Sequence, residues 1–339
     1  MTHGTSTQVR LARRPQGWPT PEDFSIERVE LSDPAPGEVR VANEFVSVDP
    51  YMRGRMNDVR SYVPPYALGD VIAGGAIGRV VASASDDLPV GTVVLHQHGW
   101  SDVVQADAST FRAVPEVPGL PLSVRLHILG MTGLTAYVGL TAIAHMKPGD
   151  TVFVSGAAGA VGTAVGQIAK LLGAGRVIGS AGSAEKVALL TEKYGYDAAF
   201  NYKDAPVREQ LAAHAPDGVD VFFDNVGGDH LEAALDVMNT GGRLALCGAI
   251  TGYNTTEKTP GPDNMANMIT RGLTATGFTL AAYLHLAPEF TEKMTTWFAE
   301  GKIAYDETIV DGIENTVDAF LAMMRGANTG KMLVRTNAV

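Results

Sequence analysis

The sequence predicts an α/β protein: a doubly wound parallel sheet in the second half of the chain, joined to a mainly β domain in the first. Three observations predict it. A buried strand, a glycine turn and a helix follow one another between Val152 and Leu172. Apolar strand runs then alternate with helical patterns as far as Phe298. Before about residue 120 the chain carries only short β-like runs broken by Pro and Gly.

In chain order, Glu38 to Ala42, Ile77 to Ala82 and Thr92 to Leu95 read as strands. They are set apart by Pro34-Ala35-Pro36-Gly37, Pro64-Pro65 and Pro89-Val90-Gly91, the punctuation of a β domain with irregular connections. Leu126 to Met146 reads as a helix leading into the next domain, and Met146-Lys147-Pro148-Gly149-Asp150 as the turn that launches its first strand. Val152-Phe153-Val154 is that strand. Val161, Val165, Ile168, Ala169 and Leu172 recur at helical spacing until Gly173 stops the run, and Arg176 to Ser180 closes a β-α-β unit. Further strands are read at Ala198 to Phe200, Val219 to Asp224, Leu244 to Cys247 and Leu273 to Phe278. Helices are read from Leu231 to Met238 and around Phe290, Met294, Trp297 and Phe298. Strands alternating with helices call for a parallel sheet covered on both faces. In such sheets ligands lie outside the carboxyl ends of the strands, which places Asn225, Gly248, Ala249 and Ile250 on the ligand side. The tail from Tyr305, with a strand-like piece, the helix Val317 to Arg325 and the strand Met332-Leu333-Val334, is assigned back to the first domain. The predicted domains are residues 1–125 with 305–339, and residues 126–304.

The glycine turn points to a dinucleotide. Its frame is Ala157-x-Gly159-x-x-Gly162, between a strand and a helix, where backbone N–H groups and the helix N-terminus can hold a pyrophosphate. NAD-specific folds place an Asp or Glu roughly 20 residues further on, against the ribose hydroxyls. Here the second strand ends in Ser180-Ala181-Gly182-Ser183, with no acid, and Lys186 follows in the first turn of the next helix. A cation is disfavoured there by the helix dipole unless a ligand phosphate offsets it. NADPH is therefore the expected cofactor.

Composition excludes several other classes. A net charge of -11, with no basic run, argues against a nucleic-acid surface. No apolar stretch approaches the ~18 residues of a membrane span, and Met1 to Ser6 lacks the apolar core of a signal peptide, so a cytoplasmic location is expected. The single cysteine, Cys247, allows no internal disulfide and no multi-cysteine zinc site, and the one close histidine pair, His96 and His98, has no evident third ligand. No metal is expected. None of the ten tyrosines has a lysine four residues on. A hydride donor without zinc or a Tyr-x-x-x-Lys pair is better matched to a conjugated enone, whose developing enolate oxygen needs only hydrogen bonds. A proton must then reach the α-carbon from water or a general acid. Tyr253, after a strand end, is the first candidate beside the oxygen; Tyr51 and Tyr62, in loops of the first domain, are the others.

Several motifs also resemble one known family. They are Val48-Asp49-Pro50-Tyr51-Met52-Arg53, Gly130-Met131-Thr132-Gly133-Leu134-Thr135-Ala136-Tyr137, the glycine turn itself, Phe200-Asn201-Tyr202-Lys203, Phe223-Asp224-Asn225-Val226-Gly227-Gly228, Cys247-Gly248-Ala249-Ile250 with Tyr253-Asn254, and Asn328-Thr329-Gly330-Lys331. Together they span most of the chain, and the whole resembles the medium-chain dehydrogenase/reductase superfamily. Within it the motifs look like the zinc-independent leukotriene 12-hydroxydehydrogenase/prostaglandin reductase branch, with its 2-alkenal and curcumin reductases. The resemblance implies a GroES-like first domain and NADPH-dependent reduction of a carbon–carbon double bond conjugated to a ketone or aldehyde. It implies that Gly159, Ala160, Val161 and Gly162 hold the pyrophosphate, and that Ser183, Lys186 and Tyr202 meet the 2′-phosphate. Asn225, Cys247, Gly248, Ala249, Ile250 and Tyr253 would line the middle of the cofactor. Phe278, Thr279, Leu280, Asn328, Met131 and Thr135 would frame its nicotinamide. It also implies a homodimer through paired edge strands, for which the uncharged Gly272 to Phe278 is suited. The segment 57–62 and the loop 255–267 look variable and are expected to border the substrate. A zinc-free NADPH quinone oxidoreductase and a catalytically silent NADPH-binding protein are the alternatives.

Overall fold

The structure is a computed structural model that describes residues 4–117, 119–257 and 259–337. Met1–His3 of the stretch read against a signal peptide, and Lys258 of the variable loop, lie outside the described residues. The chain folds as two compact units, Met1–His127 with Glu307–Val339, and Ile128–Asp306.

In the first unit β1 (Thr5–Leu11) and β2 (Phe24–Glu30) form an antiparallel ribbon. The long, mostly buried β3 (Glu38–Ser47) follows, then the one-turn helix α1 (Tyr51–Arg55), β4 (Ala76–Ser83), β5 (Val93–His96), β6 (Val103–Asp107) and β7 (Arg112–Ala113). Val39, Val41, Val80 and Val94 pack one core cluster, and Phe45, Ile77 and Leu333 another. The strand β3 is longer than its sequence signal, Glu38 to Ala42, because Phe45 and Val46 continue the buried face past Asn43 and Glu44.

The helix expected from Leu126 to Met146 is corrected. Leu122–Leu126 is a 3-10 turn of the first unit, and the helix α2 (Met131–Val138) begins only after Gly130. Its last turn then widens into a π-helical turn, Gly139–Ile143. Glycine is required on this helix: a Cβ on Gly139 would overlap the edge of the Phe223 ring and sit 3.1 Å from Phe278.

The second unit continues as β8 (Thr151–Val154), α3 (Ala160–Leu171), β9 (Arg176–Ala181), α4 (Ala184–Glu192), β10 (Ala198–Asn201), α5 (Val207–His214), β11 (Val219–Asp224), α6 (Asp229–Val237), β12 (Met238–Leu246), α7 (Ala266–Thr270), β13 (Thr274–Gly277) and α8 (Ala287–Ala299). All six strands are parallel, in the order β10-β9-β8-β11-β12-β13. The order reverses between β8 and β11, and the crevice outside their carboxyl ends is where such sheets bind nucleotides. Phe153 of β8 is fully buried and stacks on Phe222 of β11 (ring centroids 5.0 Å) and Phe200 of β10 (6.0 Å). That aromatic layer fixes the three strands whose ends carry the crevice.

The chain returns to the first unit as β14 (Glu307–Asp311), α9 (Thr316–Met324) and β15 (Lys331–Arg335). The strand β15 lies parallel to β14 and antiparallel to β3, completing the order β14-β15-β3-β4-β5-β7 with β6 on β3.

His96 explains why its pair with His98 is not a metal site. It is 3% exposed; its Nδ1 accepts the His98 amide (3.2 Å), so its Nε2 carries the proton toward Asn43 Oδ1 (2.8 Å). Both nitrogens of the neutral ring are used. Burial, with His98 beside it, pushes its pKa down to about 3. The unfolded chain protonates this ring near 6.5, so the native state binds fewer protons and stability is complete only above that value. As pH falls from 6.5 to about 3, His96 should subtract ~1.4 kcal/mol per pH unit. Urea unfolding between pH 7 and 4 should show this slope reduced in His96→Gln.

Candidate functional site

The glycine turn is built on close backbone approach. Gly156, one residue before the frame, takes φ +60° and makes the sharp turn that the fingerprint assigns to its first glycine. Ala157 can then stand in the frame itself, fully buried, with its N–H donating to Ser180 O at 2.9 Å. A Cβ on Gly162 would meet Ala157 Cα and the Gly156 carbonyl oxygen at 2.6 Å, so this glycine lets α3 close on the loop. A Cβ on Gly159 would meet nothing nearer than 3.3 Å, which leaves the face of the loop open. No side chain caps α3, and its first turn, Ala160 and Val161 included, presents N–H groups there.

One buried carboxylate ties this loop to the next strand end. Asp224 Oδ1 accepts Ser155 Oγ (2.8 Å) and the N–H groups of Val226 and Gly227 (both 2.9 Å). Its own carbonyl accepts Cys247 N (2.9 Å) and Gly248 N (3.0 Å). Asn225 donates its amide to Ser155 Oγ and its side chain to Ser155 O, both at 2.8 Å. The ends of β8, β11 and β12 are thus one hydrogen-bonded assembly. Burial pushes the Asp224 carboxyl up, against the pull of these donors. The sequence reading did not single out Asp224 or Ser155, because a short side chain at a strand end carries no signal until the neighbouring strand is known.

At the end of β9 the backbone bends around Gly182, where a Cβ would lie 3.0 Å from the Tyr202 hydroxyl. Ser183 caps α4, its Oγ accepting Lys186 N at 3.3 Å. Lys186 is half-buried, and burial first, then the charge of Lys203, pulls its ammonium down. Lys203 Nζ lies 5.7 Å from the Tyr202 ring centroid. Two cations, a phenol and a small-residue loop therefore converge with no acid at the strand end, an arrangement that favours a bound dianion. Lys203 stood in a quoted motif but received no role; only the pairing of β10 with β9, Asn201 opposite Ala181, brings it here.

The other predicted residues are distributed as follows. The Tyr253 hydroxyl is 3.4 Å from where a Gly248 Cβ would be, on the strand-end assembly. Ala249 is exposed and Ile250 opens a 3-10 turn beside it. The N–H groups of Cys247 and Gly248 are already engaged by Asp224, so they offer a ligand surface rather than donors. The Cys247 thiol is pushed up to about 12 by burial and Asp224, and is no nucleophile at neutral pH. Phe278 packs edge-on to Phe223 and Tyr283, and Thr279 and Leu280 follow just past β13. Met131 opens α2, and Thr135 Oγ1 donates to its carbonyl at 2.7 Å. Asn328 belongs to the first unit, where its side chain donates to Gly330 O at 2.7 Å. Tyr51 and Tyr62 are also in the first unit. Tyr51 opens α1, and burial, with Asp49 adding to it, holds its phenol well above the usual range; Tyr62 is 64% exposed.

Residues 7–114 match a family model described as the N-terminal domain of oxidoreductase, and residues 160–300 one described as zinc-binding dehydrogenase. Among the described residues no group of three or more His, Cys, Asp or Glu is placed to hold a metal, so the donor set for zinc does not fit. The chain is 41% identical to the NADPH-dependent curcumin reductase of Escherichia coli, over 96% of this chain and 95% of that protein. It is 39% identical to the NADP(+)-dependent 2-alkenal reductase of Nicotiana tabacum, over 97% of each. The crystal structure of CurA from Vibrio vulnificus in complex with NADPH superposes with a TM-score of 0.92 at 41% identity, over 98% of this chain and 99% of that one.

Removing the Asp224 carboxylate should loosen the whole crevice. Asp224→Ala leaves buried donors at Ser155, Val226 and Gly227 without their acceptor, at a cost of about 1–3 kcal/mol for each one left unmet. Urea unfolding should register the loss, and hydrogen exchange at Val226 and Gly227 should quicken. Asp224→Asn, which keeps an acceptor oxygen, should lose less on both measures.

Proposed function

The chain belongs to the zinc-independent reductase branch of the medium-chain dehydrogenase/reductase family, and from that premise we propose that it uses NADPH to reduce the carbon–carbon double bond of α,β-unsaturated ketones and aldehydes. The observation that carries the reading in this chain is the end of β9. Lys186, Lys203, Tyr202 and the Gly182 bend meet there with no carboxylate, a setting for the 2′-phosphate and not for a free ribose diol. Gly159, Ala160, Val161 and Gly162 would hold the pyrophosphate on the α3 N-terminus. Asn225, with Cys247 to Tyr253, would flank the middle of the cofactor. Phe278, Thr279, Leu280, Met131, Thr135 and Asn328 would border the nicotinamide.

When bound, NADPH supplies the hydride for the β-carbon of the substrate. The protein's part is to stabilise the carbonyl oxygen as negative charge moves onto it. Tyr253 is the candidate donor in the second unit and Tyr51 in the first. A phenol held neutral by burial, as Tyr51 is, donates a hydrogen bond without giving up its proton. The α-carbon then takes its proton from water or a general acid. Tyr62, being largely exposed, is assigned to the rim.

The decisive assay follows NADPH absorbance with a panel of 2-alkenals, enones and a quinone. Turnover on the conjugated carbonyls supports the reading. Turnover on the quinone alone would favour a quinone oxidoreductase, and tight NADPH binding without turnover a silent binder. No helix among the described residues is long and apolar enough to cross a membrane; a cytoplasmic location is part of the proposal.

Two predictions accompany it. Lys186→Ala should weaken NADPH binding about 10- to 100-fold, the loss of one charge-assisted contact of roughly 1.5–3 kcal/mol. NADH affinity should hardly change, nor should kcat at saturating NADPH, and an equal loss for both cofactors would remove Lys186 from the phosphate site. For assembly we propose a homodimer. The strand β13 is a sheet edge with Thr274, Ala275 and Gly277 exposed and no charge, and Ile269 nearby in sequence is 85% exposed. Light scattering at micromolar concentration should give twice the mass of one chain, and Thr276→Lys should lower it toward one.

A further inference from the structure

Lys331 is a lysine sunk into the first unit. Its side chain is 1% exposed, and its ammonium has three partners: Asp49 Oδ1 at 3.1 Å, the Val48 carbonyl at 2.7 Å and the Met332 carbonyl at 2.9 Å. Asp49 is buried as well, and its second carboxylate oxygen accepts the Ser47 hydroxyl at 2.5 Å. Replacing such a pair with apolar side chains of similar volume is often neutral or stabilising, so the pair is weak evidence for stability and calls for another explanation.

Its location supplies one. Val48 and Asp49 join the end of β3 to α1, whose first residue is Tyr51, and Met52 N donates to Asp49 O at 3.2 Å. On the other side, Lys331 opens β15 immediately after the turn Asn328-Thr329-Gly330, in which Gly330 takes φ +64° and its carbonyl accepts the Asn328 side chain. The ladder between β15 and β3, which pairs Leu333 with Ser47, ends at this point. Beyond it the ammonium and the Val48 N–H, donating to Met332 O at 3.4 Å, join the two segments.

We infer that Lys331, through Asp49 and the Val48 carbonyl, is a positioning residue that holds Tyr51 and Asn328 at a fixed separation for reduction of the enone. The inference rests on the reading above that Tyr51 donates to the substrate oxygen and Asn328 borders the nicotinamide. A lysine suits the task because one tetrahedral ammonium reaches three oxygens on two segments from within a packed core. A guanidinium is planar and larger, and cannot occupy the same space.

The test is a double-mutant cycle between Lys331→Met and Tyr51→Phe in the full-length protein, reading kcat and KM for an enone, NADPH affinity and Tm. Lys331→Met should lower kcat at least about tenfold, as expected for a displaced donor, while NADPH affinity, most of whose proposed contacts lie in the second unit, stays within about threefold. In the Tyr51→Phe background the same change should cost less, because one of the two groups it positions is gone. Additive losses, or wild-type kcat in Lys331→Met, would overturn the inference. Tyr51→Phe with full activity would instead overturn the reading of Tyr51. Should Lys331→Met fail to fold, Lys331→Met combined with Asp49→Leu removes both charges together. A retained Tm with lowered kcat in that variant supports the positioning role, and retained kcat refutes it.

Discussion

The crevice of the second unit depends on the burial of one carboxylate. Asp224 sits at the end of β11, where the strand order reverses, and its two oxygen-bearing groups collect donors from the loops after β8, β11 and β12. Those loops are short and irregular, so few of their backbone groups can find partners in a regular ladder. Without an internal acceptor their N–H groups would point into a dry strand-end crevice. With one, the glycine turn, Asn225 and Gly248 are held in fixed relation. The raised pKa of Asp224 is the electrostatic cost of burial, and the hydrogen bonds that oppose it are the same ones that order the site.

The parallel sheet was legible because its evidence is local. Strand β11 spans Val219 to Asp224 as read, and Val161, Val165, Ile168 and Ala169 lie on α3 as their spacing demands. The failures share a cause too. Leu126 to Met146 reads as one helix because its residues are apolar throughout, but periodicity does not register the break at His127–Gly130 or the widened turn where Gly139 meets Phe223. The irregular first glycine of the fingerprint was also only half legible. Ala157 looks like a defect until the positive φ of Gly156 is known.

What escaped the sequence was the set of residues that act by partnership across the fold. Asp224 with Ser155, Lys203 beside Lys186, and Lys331 with Asp49 are separated by 69, 17 and 282 positions. None is distinguished by its own neighbours in the chain. Each was written inside or next to a motif that could be quoted, but a motif gives residue types and not the direction in which a side chain finds its counter-charge. Lys331 is the clearest instance: nothing in Asn-Thr-Gly-Lys signals burial, and the packing of β15 between β14 and β3 encloses the side chain.

The electrostatics of the two proposed ends of the cofactor differ in a way that suits the proposed reaction. At the proposed adenine end burial, and then the neighbouring charge of Lys203, pulls the Lys186 ammonium down in a chain of net charge -11. In the proposed site a 2′-phosphate would offset the repulsion between these two cations, acting as their counter-charge as well as a label for specificity. At the reacting end the candidate side chains are phenols, and burial keeps that of Tyr51 neutral. Reduction of a carbonyl to an alcohol would require a proton to be delivered to oxygen as the hydride arrives, a demand that a phenol with a raised pKa meets poorly. Reduction of the conjugated double bond leaves an enolate, whose oxygen needs only a donated hydrogen bond while carbon is protonated from water or a general acid. A neutral, half-buried phenol is therefore a handicap for the first reaction and an adequate instrument for the second.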